Sequence, residues 1–161
     1  MRKKAALIFY YTLVTKLPNT KYVSWFNSFR VWYMSKILKV IEYHPSTIVE
    51  DNVYISDGRT LKIGRHCHIN ERVFIQGAYI GNHVMIAPDV VFLNDAHNCV
   101  RTDIPMIKQG MSKKENPIIC DDVWIGRNLR IEFESSRILI GIYFPQRHTK
   151  LLSATIFRNF S

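Results

Sequence analysis

The chain has 161 residues, enough for one domain with a sizeable core and too few for two ordinary domains. Its hydrophobic fraction of 47% and charged fraction of 22% are those of an ordinary globular protein, which argues against intrinsic disorder. The net charge of +9 raises the question of a nucleic-acid partner, and the answer depends on where the charge lies.

The positive charge is concentrated at the N-terminal end. Residues 1–44 contain eight lysines and arginines against one acid, Glu42, whereas residues 45–128 contain nine bases and ten acids. A nucleic-acid groove on the nearly neutral central part is therefore disfavoured. The basic, aromatic N-terminal segment fits a helix packed on the main domain, which we favour, or a helix lying on an anionic membrane face.

Targeting signals and cysteines indicate the cytoplasm. The apolar run from Ala5 to Val14 is shorter than the roughly 20 residues that span a bilayer, and a cleavable leader is only a minor alternative. The three cysteines are widely spaced and odd in number, so they predict neither a disulfide framework nor a zinc knuckle. We expect a cytoplasmic protein, with a peripheral position at the inner face of the membrane as the alternative.

Residues 1–45 are predicted to form two helices separated at Leu17-Pro18-Asn19, with Asn19 or Thr20 capping the second. Apolar residues recur at steps of three and four in the second helix, and this spacing predicts one buried face. The members of that face are Phe26, Phe29, Tyr33, Ile37, Val40 and Ile41.

The period changes in residues 46–131, where large apolar residues recur mostly six apart. A two-residue insertion interrupts the series at Asp57-Gly58, and a one-residue deletion interrupts it near Gly77. A six-residue period is neither that of a helix nor that of a half-buried hairpin. It predicts a short strand and a corner in each hexad, with three faces per coil of about 18 residues around an aliphatic column. The inward residues are Val49, Ile55, Ile63, Ile69, Ile75, Ile80, Ile86, Phe92, Ile119, Ile125 and Ile131.

Two segments carry a resemblance to a known family. The first runs from Ile80-Gly81-Asn82-His83-Val84-Met85-Ile86-Ala87-Pro88 to Asn94-Asp95-Ala96-His97, and the second is Asp121-Asp122-Val123-Trp124-Ile125-Gly126. They resemble the hexapeptide-repeat acetyltransferases, which include galactoside and maltose acetyltransferases and O-acetyltransferases of capsule, colanic acid and lipopolysaccharide synthesis. The resemblance covers about residues 17–128.

The resemblance implies a mainly β fold, a left-handed parallel β-helix with an N-terminal α-helical segment, assembled as a homotrimer with active sites between subunits. It further implies transfer of an acetyl group from acetyl-CoA to a hydroxyl of a sugar or polysaccharide precursor, without a metal. Residues 98–117 break the hexad period and correspond to an excursion loop beside the site. N-acetylation of an amino sugar stays open as an alternative reaction.

The resemblance also assigns roles to individual residues. His97, nine residues after Pro88, corresponds to the catalytic histidine, and an imidazole can remove the proton of an attacking hydroxyl. Asn70 and Trp124 are expected at the acceptor, although Asn70 is equally well explained as a turn residue. Asp95 could orient His97 or bind substrate, but we favour a solvated loop residue. Trp124, Gly126 and Arg127 are expected at the donor.

A zinc site of the γ-class carbonic anhydrase kind is the competing hypothesis, because those enzymes share this type of helix. His66, His68, His83 and His97 are available, but they lack the pair of histidines five apart that such a site requires. His66 and His68 are further expected on opposite faces of their strand. We therefore disfavour metal binding.

The C-terminal segment, residues 132–161, departs from the family pattern. After Asn128 the expected Pro-Gly-Val turn and the further hexads are missing, and Gly141 is the only glycine that follows. The abrupt change suggests a shifted reading frame near residue 129, which translation of the other two frames would test. Because the missing coils bind much of the donor in relatives, a non-catalytic remnant or trimerising module is the alternative function.

Overall fold

The computed structural model describes residues 2–132 of the chain. In this part, two α-helices precede ten short strands that form three parallel sheets. The predicted aberrant segment and its shifted reading frame lie outside the described residues, apart from Glu132, which ends the last strand.

The N-terminal segment forms two helices, as predicted, with different bounds. α1 spans Arg2–Thr12 and is followed by a 3₁₀ turn at Val14–Lys16, while α2 spans Trp25–Trp32 and continues into a π-helical turn at Tyr33–Ile37. The second helix starts later than predicted because Asn19 forms a turn of its own, in which its side chain accepts a hydrogen bond from the Lys21 backbone N–H (3.0 Å). No helix in residues 2–132 is long and apolar enough to cross a membrane.

The predicted buried face of the second helix is partly wrong. Ile37 is 44% exposed, and Phe26 and Phe29 are only half-buried. The π-helical turn contributes to the change, because Leu38 N–H bonds to the Tyr33 carbonyl five residues earlier (3.1 Å) and the wider turn rotates the residues that follow. The residues of this stretch that are buried are Arg30, Val31, Tyr33, Met34 and Leu38.

Val40 and Ile41 are buried but not helical, which corrects the predicted end of the helix. Ile41 forms a parallel bridge with Ile63. Val40 N–H donates to the Met34 carbonyl, and the Val40 carbonyl accepts from Ile63 N–H. The end of the helical segment therefore extends along the first strands of the repeat.

The ten strands belong to three sheets. Sheet A contains β2, β5 and β8, sheet B contains β1, β3, β6 and β9, and sheet C contains β4, β7 and β10. From β2 onward the chain visits A, B and C in strict rotation, and all strand pairs are parallel. The strands are Ile48–Val49 (β1), Leu61–Ile63 (β2), His68–Ile69 (β3), Phe74–Ile75 (β4), Ala78–Ile80 (β5), Met85–Ile86 (β6), Val91–Leu93 (β7), Ile118–Ile119 (β8), Trp124–Ile125 (β9) and Arg130–Glu132 (β10).

The core lies between the three sheets and includes all the residues that the six-residue period predicted. All eleven are at most 5% exposed, and they stack in register, as Ile69, Ile86 and Ile125 do in sheet B. Ile69 and Ile86 are neighbours in space although 17 residues separate them in the chain. The aliphatic column is therefore continuous from coil to coil.

Corners between the strands repeatedly use the left-handed backbone conformation. φ is positive at His66 and Arg72 and again at His83 and Asp89, each pair six residues apart. At Gly81 the close approach of the next coil excludes a side chain, because a Cβ there would lie 2.8 Å from the Asp121 backbone N. The other non-glycine residues with positive φ are Lys39, Asn52, Ser56, Asp122 and Asn128.

A buried arginine joins the helical segment to the first strand. Arg30 is 0% exposed, and its Nε donates to the Val49 carbonyl (2.7 Å) while Nη1 donates to the carbonyls of Leu17 (2.8 Å) and Pro18 (3.1 Å). Glu50 Oε2 lies 3.6 Å from Nη2. A paired charge is thus buried at the junction of the two regions.

Candidate functional site

The segment between β7 and β8, residues 94–117, leaves the sheets, and buried amides hold its two ends together. Asn94 is 4% exposed, and its Nδ2 donates to Asn116 Oδ1 (2.9 Å) and Thr60 Oγ1 (3.3 Å). The Asn94 carbonyl accepts a hydrogen bond from Glu115 N–H (2.8 Å). Gly77 leaves room for this cluster, because a Cβ there would overlap all three of its polar side chains. The departure and return points of the loop are therefore fixed.

His97 lies where the loop opens, on a short antiparallel ladder. It bridges Met111, while Ser112 N–H donates to the Ala96 carbonyl (2.7 Å) and Asn98 N–H donates to the Gly110 carbonyl (3.1 Å). His97 itself is exposed. The hydrogen-bonded stem of the loop therefore holds the backbone of the predicted catalytic histidine, while its side chain is exposed to solvent.

Asp95 is held more firmly than a solvated loop residue, which overturns the favoured interpretation. Its side chain is 5% exposed, accepts a hydrogen bond from Gln76 Nε2, and has Lys114 Nζ at 3.4 Å from Oδ2. A carboxylate with two such partners fixes both strands of the loop base, two residues before His97.

Asn70 and Gly126 lie at one corner, after sheet B. Asn70 donates to the Ile86 carbonyl from both its backbone N–H (3.0 Å) and its Nδ2 (2.8 Å). These bonds agree with the interpretation of Asn70 as a turn residue. Gly126 is buried and follows Ile125, the next residue of the same column. This corner is packed against the neighbouring coil.

Arg127 belongs to a charged group at the same corner. Its Nε lies 3.3 Å from Asp89 Oδ2, and Arg72 binds Asp89 through Nε (2.6 Å) and Nη2 (3.0 Å). The guanidinium of Arg72 lowers the pKa of Asp89 below its ordinary value, so the carboxylate stays charged. Glu71 Oε1 also lies 3.9 Å from Arg72 Nη1, so two guanidiniums face two carboxylates at this corner and their charges balance. The Arg127 side chain is 55% exposed, so its guanidinium can reach an anionic ligand.

Trp124 is in β9 on the outer face of sheet B and is 43% exposed. It pairs in register with Met85, which in turn pairs with His68. The structure therefore brings Trp124, Asn70, Gly126 and Arg127 to sheet B and the corner after it. His97 and Asp95 follow β7 of sheet C, so they lie at the end of sheet C opposite the corner that joins it to sheet B.

A cluster of histidines is a feature that the sequence analysis missed. The rings of His44 and His83 lie 4.9 Å from the ring of His66, and His68 lies 6.0 Å from it. Glu42, Arg65, Asn82 and Asp121 complete the lining of a surface cleft of about 490 Å³ beside the cluster. In residues 2–132 no group of three or more His, Cys, Asp or Glu is arranged to hold a metal ion.

The expectation that His66 and His68 lie on opposite faces was wrong. Side chains two residues apart on an extended chain share a face, and Cys67 between them is the buried one. Burial lowers the pKa of His66 below 6.5, and the neighbouring His83, His44 and His68 lower it further. The spacing of His66 and His83, 17 residues or one coil apart, is the signal that could have revealed the cluster.

Comparison with known proteins yields no relative: no protein-family model matches the chain, and no curated protein or solved structure does so either. The resemblance to hexapeptide acetyltransferases therefore rests on the quoted motifs. The assignment of a function rests on those motifs and on the positions of the residues described above.

Proposed function

We propose that the protein is an acetyl-CoA-dependent O-acetyltransferase that acts on a hydroxyl of a sugar or polysaccharide precursor. The observation that carries the proposal is the position of His97, exposed at the mouth of the loop that leaves the repeat, on a ladder anchored by Asp95 and Asn94. A general base needs this combination of access for the acceptor and a fixed backbone.

The three sheets are, in this proposal, the faces of a left-handed parallel β-helix. The rotation of strands through sheets A, B and C and the spacing of 17 residues between Ile69 and Ile86 support it. Such a helix makes each coil a rigid platform and leaves an excursion loop free to carry chemistry.

The reaction follows from the residues proposed for the site. His97 takes the proton of the acceptor hydroxyl as its oxygen attacks the thioester carbonyl, an acetyl C–O bond forms, and the C–S bond breaks. The protonated imidazole then returns the proton to the departing thiolate, so that the free thiol of coenzyme A leaves. The exposed guanidinium of Arg127 contacts a phosphate of the donor, and Trp124 lines the pocket for the acceptor and the thioester.

A second copy of the chain completes the site in this proposal. His97 and Asp95 follow sheet C, whereas Trp124, Gly126 and Arg127 follow or belong to sheet B, and a homotrimer would place one group opposite the other group of a neighbour. Complementation tests this point. Mixing His97→Ala with Trp124→Ala chains before refolding should restore part of the activity, and mixing either variant with itself should not.

The primary experiment measures release of coenzyme A thiol from acetyl-CoA with a panel of sugar acceptors. We expect slow turnover by the wild-type chain, because its sequence departs from the family pattern after Asn128, and a further loss of about 10²-fold to 10⁴-fold in His97→Ala. His83→Ala, which changes a histidine of the cleft, is the matched control and should retain turnover. Equal turnover in the wild-type and His97→Ala chains would exclude His97 as the base.

A trimerising module without turnover is the second candidate, favoured by the departure from the family pattern after Asn128. Sedimentation and an acetyl-CoA titration separate the two. A trimer that binds no acetyl-CoA supports the module, whereas saturable binding that weakens in Arg127→Ala supports the enzyme.

A further inference from the structure

The outer surface of the helical segment carries four exposed or half-buried aromatic side chains, which we name the aromatic patch: Phe9, Trp25, Phe29 and Trp32. Phe9 of α1 lies 5.5 Å from the ring of Tyr33, and Trp32 of α2 lies 6.4 Å from the same ring, so the two helices meet here. Phe29 lies 5.8 Å from Trp32. Trp25, Phe29 and Trp32 follow one another at steps of four and three in α2, so they share one face of that helix.

These rings are accessible even though the helices are packed on the repeat. Trp25 is 63% exposed, Trp32 44% and Phe9 42%, because the opposite side of α2 is the one that is buried. Single exposed apolar residues are ordinary, but a group of this size marks an interaction surface. Further exposed apolar side chains of the same segment are Ile8, Leu13, Tyr22 and Ile37.

The same segment has exposed positive charge and no negative charge of its own. Residues 2–41 contain no aspartate or glutamate, and Arg30 is buried in an ion pair with Glu50. Lys36 lies 5.8 Å from the centre of the Tyr43 ring, and Lys16 bonds to the neutral Asn52 side chain (2.7 Å). The lysines that are exposed are Lys3, Lys4, Lys16, Lys21, Lys36 and Lys39.

We infer that this surface binds the face of a bilayer rich in anionic phospholipid. Tryptophan and phenylalanine beside lysine are the composition of helices that lie in the membrane interface, where rings enter the headgroup region and lysines meet lipid phosphates. A second copy of the chain fits less well, because a like patch would bring its lysines against lysines. The inference stands independently of the proposed transferase reaction.

The two helix faces have different tasks in this scheme. The inner face, with Val31 and Met34, holds the segment on the repeat, while the outer face meets the lipid. The inferred contact is peripheral, with the helices lying along the face of the bilayer.

Co-sedimentation of the full chain with vesicles tests the inference. One set contains phosphatidylcholine alone, and the other contains equal parts of phosphatidylcholine and phosphatidylglycerol. We expect binding to the anionic vesicles that weakens as salt is added, and little binding to the neutral ones. Equal binding to both sets, or to neither, overturns the inference.

Two pairs of variants locate the surface. Trp25→Ser with Trp32→Ser removes the exposed tryptophans of the patch, and Trp124→Ser on sheet B is the control. Lys21→Glu with Lys36→Glu reverses two charges, and Lys108→Glu with Lys113→Glu makes the same change on the loop. We expect each patch variant to lower the vesicle affinity by roughly tenfold or more and each control to lower it much less.

Thermal unfolding of every variant shows whether its fold is intact, and a variant that unfolds early is replaced by Trp25→Ser or Lys21→Glu alone. Equal losses in the patch and control variants contradict the inference. A nucleic acid is the other polyanion, and duplex DNA in place of vesicles separates the two. Binding of DNA without binding of anionic vesicles overturns the membrane assignment.

Discussion

The repeats and the helical segment are held together by different interactions. In the repeats, each inward side chain lies on its equivalent one coil away, as Ile86 does between Ile69 and Ile125, and backbone hydrogen bonds connect the coils. Many equivalent apolar contacts share the stabilisation there. A substitution in the repeats therefore removes one contact among many equivalent ones, whereas a substitution in the helices can remove a contact that has no equivalent.

The helices combine apolar packing, as at Val31 and Met34, with a few polar anchors. Arg30 binds the Val49 carbonyl, and Tyr10 donates from its hydroxyl to the Val53 carbonyl (2.8 Å). Asn27 pairs with the edge of β1 by accepting from Val49 N–H (2.8 Å) and donating to the Thr47 carbonyl (2.9 Å). Each anchor satisfies backbone groups that would otherwise be buried without a partner, so its loss should be severe.

The largest effect is expected at Arg30. Arg30→Met keeps about the same volume, but it removes the ion pair of the buried Glu50 and leaves three backbone carbonyls without their donor. We expect the free energy of unfolding to fall by about 3–5 kcal/mol. Arg59→Met removes an exposed pair with Asp57 and should cost about 0–1 kcal/mol. Urea denaturation of both variants measures the difference. Equal losses would show that the anchors are not special.

A smaller effect distinguishes two isoleucines that have similar periodic settings. Ile86→Ala opens a cavity in the column and should lower the free energy of unfolding by about 2–5 kcal/mol. Ile37 is 44% exposed, so Ile37→Ala should stay within about 0.5 kcal/mol. A large loss in Ile37→Ala would mean that the helical face is buried as the period alone suggests. The same denaturation series provides both values.

The smallest effect is expected where the two regions meet, at the histidine cluster. Because the folded-state pKa of His66 is lowered, the unfolded chain takes up the proton more readily, and His66 therefore costs stability as the pH falls through about 6.5 and below. Glu42, Arg65 and Asp121 are the other charged groups lining this cleft.

His66→Asn removes that titration and suits the positive φ of 55° at this corner. The free energy of unfolding of the variant should fall less steeply between about pH 7 and about pH 5 than that of the wild-type chain. Parallel pH profiles would show that His66 does not contribute to acid sensitivity.

Some features of the site could be predicted from the sequence, and others depend on contacts between distant segments. The motifs predicted His97 on the loop, and the point where the loop leaves the repeats could be predicted because the hexad period stops there. The partners of Asp95 could not be, since Gln76 lies 19 residues away and meets Asp95 only because sheet C brings the two corners together. The separation of His97 from Trp124 likewise depends on which sheet each strand joins.

The six-residue spacing of apolar residues was enough to predict which side chains form the core of the repeats. Each hexad meets the same surroundings, so an inward position such as Ile125 can be recognised from spacing alone. Three features could be seen only in the tertiary structure: which face of α2 is buried, which residues bind Asp95, and the contact between the rings of His44 and His66. Those features depend on contacts between segments far apart in the chain, and a local period contains no information about such contacts.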